Sequence, residues 1–95
     1  MKQYIIEGTD GHDDMLYVVR AMGANGALKL VAGLSQTSPV RVKVSGRPQT
    51  RVFLCHKGLT SQQFQEQIEA NPLGEAGRGC YEVSCKELVE NVNLA

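Results

Sequence analysis

Residues 38–58 contain several cationic side chains and one aromatic ring at close spacing, a combination that can bind anionic partners. Cations neutralise phosphates and carboxylates, whereas a flat ring stacks on a nucleic-acid base. The candidate binding residues in this segment are Arg41, Lys43, Arg47, Arg51 and Phe53. We therefore predict that this segment binds either an acidic protein surface or a single-stranded nucleic acid.

Three cysteines supply the other side chains that could act as nucleophiles or soft metal ligands. Their spacing contains no Cys-x-x-Cys pair, which is the usual half of a zinc site, and their odd number argues against a disulfide framework. Cys55 and His56 are neighbours on a predicted strand, so their side chains should point to opposite faces. The same reasoning separates Cys80 from Cys85. We expect reduced thiols with a structural role.

A second group of polar side chains lies between Asp10 and Asp14, where His12 stands among three aspartates. Oxygen ligands of this kind bind divalent cations, but the spacing here matches no calcium loop. We predict instead that Asp13 or Asp14 caps a following helix by accepting hydrogen bonds from its first N–H groups. Neither a metal nor another cofactor is expected.

Sequence patterns typical of enzymes are missing from the chain. It contains no Walker motif, no nucleophile elbow and no paired-carboxylate site. The glycine-rich segment 74–79 follows a predicted helix and precedes a predicted strand, which reverses the order found in a phosphate-binding loop. We predict a non-enzymatic binding or regulatory domain. The less favoured alternative is a small enzyme that uses His12 or Cys55.

A β-hairpin over residues 38–58 is expected to position the cations. Valine alternates with polar residues from position 40 to position 45, which is the period-2 pattern of a half-buried strand. A turn follows, and a second strand rich in β-formers begins at Arg51. If Ser45 pairs with Arg51, four of the predicted site residues share one open face of the sheet. They are Arg41, Lys43, Arg51 and Phe53.

The first third of the chain allows two interpretations. Lys2 to Glu7 is predicted to be a first strand. Between Met15 and Leu34, apolar residues recur at three- and four-residue spacing on either side of Asn25-Gly26, which favours two short helices or one kinked pair. The Asn-Gly step is also a strong turn signal, so a β-hairpin is the alternative.

The last third contains a better-defined helix. Thr60 to Gln63 matches the capping-box pattern and predicts a helix that packs Phe64 inward. Asn71-Pro72 should end that helix. Cys80 to Cys85 is predicted to be the last strand, and residues 86–92 are predicted to form a short terminal helix.

These elements predict a single α+β domain over residues 1–95, in the order β-α(α)-β-β-α-β. The order resembles the split β-α-β arrangement of ferredoxin-like domains, which implies an antiparallel sheet with helices on one face. A β-grasp-like fold, built from the hairpin and the helix after it, is the alternative. A chain of 95 residues is expected to form one core.

Charge is segregated along the chain, although its formal net value is zero. Residues 15–65 contain seven Lys and Arg and no Asp or Glu, so this middle part can create an attractive field for an anionic partner. The alternative is that the acidic ends of the chain fold beside it and cancel that field. The chain has no apolar run near the ~20 residues of a membrane span and no signal-peptide pattern at its start. We therefore expect a cytoplasmic protein without membrane contact. The alternative mode of action is an adaptor or homo-oligomer, such as a dimer, that assembles through sheet edges.

Overall fold

The computed structural model describes residues 1–43, 50–71 and 79–89, and within them the chain forms one sheet with two helices. The elements are β1 (Lys2–Thr9), β2 (Asp14–Ala21), α1 (Ala24–Leu34), β3 (Thr37–Lys43), β4 (Thr50–His56), α2 (Ser61–Ala70) and β5 (Cys80–Leu88). The strands lie in the order β2-β1-β5-β4-β3, and every neighbouring pair is antiparallel. The predicted α+β class with an antiparallel sheet is confirmed. Neither of the described helices is long and apolar enough to cross a membrane.

β2 occupies residues that the sequence predicted to be helical. It pairs with β1 along its whole length, from Asp14 opposite Thr9 to Ala21 opposite Lys2. Its exposure alternates at every residue, as expected for a strand with one covered face. Met15 and Val19 point inward in either pattern, so the apolar spacing did not distinguish the two structures. The helix prediction is wrong here, because this segment instead pairs with β1 through the N–H and C=O groups on its inner side.

α1 confirms the second half of the predicted helical stretch. Ala27, Leu28 and Val31 are buried and pack against the sheet. The apolar spacing in the sequence also places Leu30 and Leu34 on this stripe, but these residues are 49% and 68% exposed. The covered stripe is therefore rotated by about one position from the predicted one.

The turn between β1 and β2 explains the acidic segment. The Oδ1 atom of Asp10 accepts hydrogen bonds from the N–H groups of His12 and Asp13, at 2.8 and 2.7 Å. These bonds, first that of Asp13 and then that of His12, hold the pKa of the Asp10 carboxyl below its ordinary value. The predicted helix cap at Asp13 or Asp14 is wrong, because Asp14 begins a strand. Asp10 instead caps the turn.

The two helices cover opposite faces of the sheet. α1 packs on the face that carries Tyr4, Ile6 and Leu54, whereas Phe64 of α2 packs with Phe53 on the other face. β4 is consequently buried on both sides, and its residues 53–55 are all 0% exposed. The order of elements agrees in outline with the ferredoxin-like arrangement, with β2 as an additional strand. The expectation that both helices share one face is wrong in this detail.

α2 begins where the sequence predicted. The Thr60 hydroxyl accepts a hydrogen bond from the Gln63 N–H at 3.2 Å, and the Gln63 side chain accepts one from the Thr60 N–H at 3.3 Å. Both halves of the capping box are therefore formed. β5 continues to Leu88, so the terminal helix predicted from Lys86 is wrong over its first residues. Residues 90–92 lie outside the described part of the chain.

Candidate functional site

The register of the β3–β4 hairpin differs from the predicted one. Arg51 lies opposite Val42, and Phe53 lies opposite Val40. The predicted partner of Arg51 was Ser45, three positions further along the chain. An odd shift exchanges the two faces of one strand relative to the other, because side chains alternate with period two. Arg41 and Lys43 therefore lie on one face of the hairpin, and Arg51 and Phe53 on the opposite face.

Phe53 belongs to the core on the α2 side. Its side chain is 0% exposed, and its ring meets that of Phe64 edge-on, with centroids 4.8 Å apart and planes at 71°. The Arg51 guanidinium lies 5.1 Å from the centroid of the Phe53 ring. An aromatic ring enclosed in this way has no free face on which a base could stack.

Arg51 is engaged with Glu82 of β5. Its Nε and Nη2 atoms donate to the two carboxylate oxygens of Glu82, at 2.8 and 2.6 Å. This is the bidentate geometry that arginine and carboxylate groups favour. The hydrogen bond to Glu82 raises the pKa of Arg51 above its ordinary value. The positive charge of Arg51 is thus neutralised within the fold and adds little to an attractive field.

Arg41 and Lys43 are the exposed cations of β3. The Nη2 atom of Arg41 donates to the Oδ1 atom of Asn25 on α1, at 2.8 Å. The backbone of Lys43 is bound by the amide of Gln65 on α2: its N–H donates to Oε1 at 3.0 Å, and its C=O accepts from Nε2 at 2.8 Å. Arg47 lies outside the described residues. Only Arg41 and Lys43 of the five predicted residues are thus seen together on one exposed surface.

Cys80 and Cys85 lie on opposite faces of β5, as the sequence predicted. Cys55 and Cys80 are opposite one another on β4 and β5 and are buried on the α2 side, whereas Cys85 lies on the α1 side. All three are free thiols. Burial, and then the neighbouring Cys80 thiol, raise the pKa of Cys55 far above its ordinary value. A thiol in this state is a poor nucleophile, which argues against the alternative of catalysis by Cys55.

No cluster of three metal-ligating side chains is present among residues 1–43, 50–71 and 79–89. His12 is exposed in the β1–β2 turn, and its backbone N–H is held by Asp10.

An exposed apolar row on β2 was not predicted as a site. Leu16 and Val18 lie on the sheet face opposite α1, and their side chains are 64% and 56% exposed. Ile5 of β1 lies opposite Val18. Leu88 of β5, on the other side of β1, lies on the same face and is 38% exposed. α2 covers this face over β3 and β4 but does not extend to β2. We call the surface formed by Ile5, Leu16, Val18 and Leu88 the open face.

A sequence signal for the open face does exist. Residues 15–19 form a continuous apolar run, and a strand covered on one side needs apolar residues only at alternate positions. Leu16 and Val18 are apolar residues that the covered face of β2 does not require. This signal depends on β2 being a strand.

The two edges of the sheet differ in how they are protected. At the β3 edge, Pro39 lacks an N–H donor, and Gln65 occupies the N–H and C=O of Lys43. β2 forms the other edge; it is eight residues long and contains neither proline nor lysine. Within the described part of the chain, only β1 pairs with the backbone of β2. We call the outer side of β2 the open edge.

No protein-family model, no curated protein and no solved structure matches this chain. The open edge offers backbone donors and acceptors, and the open face offers apolar surface next to them. This combination fits the addition of an extended polypeptide strand.

Proposed function

We propose that this chain is a non-enzymatic protein-binding module that receives an extended segment of a protein partner along β2. The observation that carries the proposal is the coincidence, on one strand, of the open edge and the exposed side chains of Leu16 and Val18. An added strand would satisfy the outward N–H and C=O groups, and its own side chains would cover the apolar row. The protected β3 edge offers neither feature.

The energetics support a weak and reversible interaction. Complete burial of a leucine or valine side chain contributes about 1.5–3 kcal/mol, and Leu16 and Val18 still have roughly half of that to gain. Each new backbone hydrogen bond adds about 0.5–1.5 kcal/mol net. Association costs at least about 4 kcal/mol in lost translational and rotational freedom. The small surplus is typical of regulatory contacts rather than of permanent complexes.

A second candidate function is retained for the exposed cations of β3. Arg41 and Lys43 lie within a basic middle region of the sequence, and their charges would attract an acidic protein or a single-stranded nucleic acid. Two phosphate contacts would give a log–log salt slope of about −1.4 for single strands. With Phe53 buried, base stacking would have to come from elsewhere.

The two candidates are distinguished by selecting a random peptide library against the complete chain. Strand addition predicts enrichment of extended peptides with alternating apolar residues. Binding should be lost in a Leu16→Lys, Val18→Lys variant and kept in an Arg41→Glu, Lys43→Glu variant. These changes are at exposed positions, so both variants should fold like the parent, which circular dichroism would check.

The opposite pattern would contradict the first candidate. Enrichment of acidic peptides, or binding of mixed-sequence oligonucleotides, that is lost only in the Arg41→Glu, Lys43→Glu variant would establish the basic surface as the site. Fluorescence anisotropy at several salt concentrations would then separate the two kinds of partner, since only nucleic acid should give the slope stated above.

We infer a cytoplasmic location from the three free thiols. Oxidising compartments favour disulfides, whereas thiols persist in the cytosol. Recovery of the protein with a disulfide between two of its cysteines after alkylation of intact cells would contradict this inference.

A further inference from the structure

We propose that the segment received by β2 belongs to a second copy of this chain, so that two β2 strands pair antiparallel about a two-fold axis at Tyr17. This inference rests on the proposed role of the open edge. A two-fold interface uses the same patch on both copies, so the patch must be complementary to itself.

The charges of β2 are self-complementary in this register. Asp14 and Arg20 are its only charged residues, and each lies three positions from Tyr17. With Tyr17 on the axis, Asp14 of each copy lies opposite Arg20 of the other, which creates two opposite-charge pairs. On the open face, Leu16 lies opposite Val18 in both halves, so the exposed apolar rows cover each other.

The neighbouring registers lose this match. Antiparallel pairing places side chains of the same face opposite one another, so the next allowed axes are at Leu16 and Val18. With Val18 on the axis, Arg20 lies opposite Leu16. With Leu16 on the axis, Asp14 lies opposite Val18, and Arg20 lies opposite His12. Only the axis at Tyr17 pairs charge with charge and apolar with apolar.

Both charged groups are available for such pairs. Asp14 and Arg20 are exposed, and neither forms an ion pair with another described residue. The resulting dimer would join two sheets across the β2 edges and leave the β3 edges outermost. Since Pro39 and the bound backbone of Lys43 protect those edges, assembly should stop at two copies.

The test is sedimentation velocity of the complete chain from micromolar to millimolar concentration at low salt. We expect the parent to associate reversibly to a dimer. Asp14→Arg and Arg20→Asp each replace two attractive pairs by two like-charge pairs, which should weaken association by about tenfold or more. The combined Asp14→Arg, Arg20→Asp variant restores opposite charges and should return association to the parent level. Asp13→Arg, in the adjoining turn, is the matched control and should associate like the parent.

Several results would overturn the inference. A parent that stays monomeric at millimolar concentration would exclude the second copy, while the peptide selection above would still report on the open edge. Single variants that dimerise like the parent would place the interface elsewhere. Failure of the combined variant to recover, with the fold intact by circular dichroism, would exclude the Tyr17 register.

Discussion

Replacement of Phe53 by alanine distinguishes the buried ring of the structure from the exposed ring that the sequence predicted. Phe→Ala changes in a core cost about 3–5 kcal/mol. The upper part of this range applies here, because the variant also loses the edge-on contact with Phe64 and the ring beneath Arg51. A domain of 95 residues has a free energy of unfolding of about 5–14 kcal/mol, so the loss is a large share of the total.

The assay is urea unfolding followed by circular dichroism, with two control variants. Phe53→Leu keeps most of the apolar volume and should lose only about 1–2 kcal/mol. Arg41→Ala changes an exposed side chain and should stay within about 0.5 kcal/mol of the parent. If Phe53→Ala unfolds at the same urea midpoint as the parent, the register of the β3–β4 hairpin is refuted and the Phe53 ring must be exposed.

Three further predictions concern backbone space, capping and thiol access. Gly8→Ala should lower the free energy of unfolding by about 1–3 kcal/mol, because its Cβ would lie 2.6 Å from a side-chain carbon of β5. Gly33→Ala meets open space in α1 and should raise the free energy of unfolding by up to about 1 kcal/mol. A urea midpoint equal to that of the parent would contradict either prediction. Thr60→Ala should lose about 1 kcal/mol by the same assay, and an unchanged midpoint would argue against the capping box. A thiol reagent should label Cys85 before Cys55 in the native state, as followed by mass spectrometry, and the reverse order would contradict the burial of Cys55.

Features whose interactions are local could be predicted from the sequence. The capping box at Thr60 and Gln63 involves residues three apart, so its hydrogen bonds follow from residue types and spacing alone. The alternating valines of β3 and the β-formers of β4 also suffice to identify a hairpin. The α+β class also follows from the sequence, because strand and helix patterns are properties of local segments.

Features that depend on distant residues could not be predicted in this way. Residues 15–21 fit a helix by apolar spacing, and they form a strand because β1 supplies hydrogen-bonding partners along their full length. The hairpin register could not be predicted in this way. Alternation shows which residues of one strand share a face, but not which residues of two strands lie opposite each other. In β4 the faces themselves cannot be assigned from the sequence, because residues 53–55 are buried on both faces and show no alternation.

The candidate site illustrates the same division. The sequence alone determined which cations are present and that the middle of the chain is basic, because charge is a property of residue type. Tertiary structure decided that Glu82 neutralises Arg51, that Phe64 encloses Phe53 and that Leu16 and Val18 remain uncovered. Exposure depends on which elements pack on each face and how far they extend. That information lies in contacts between residues far apart in the chain, so it emerges only when the sheet and its two helices are assembled.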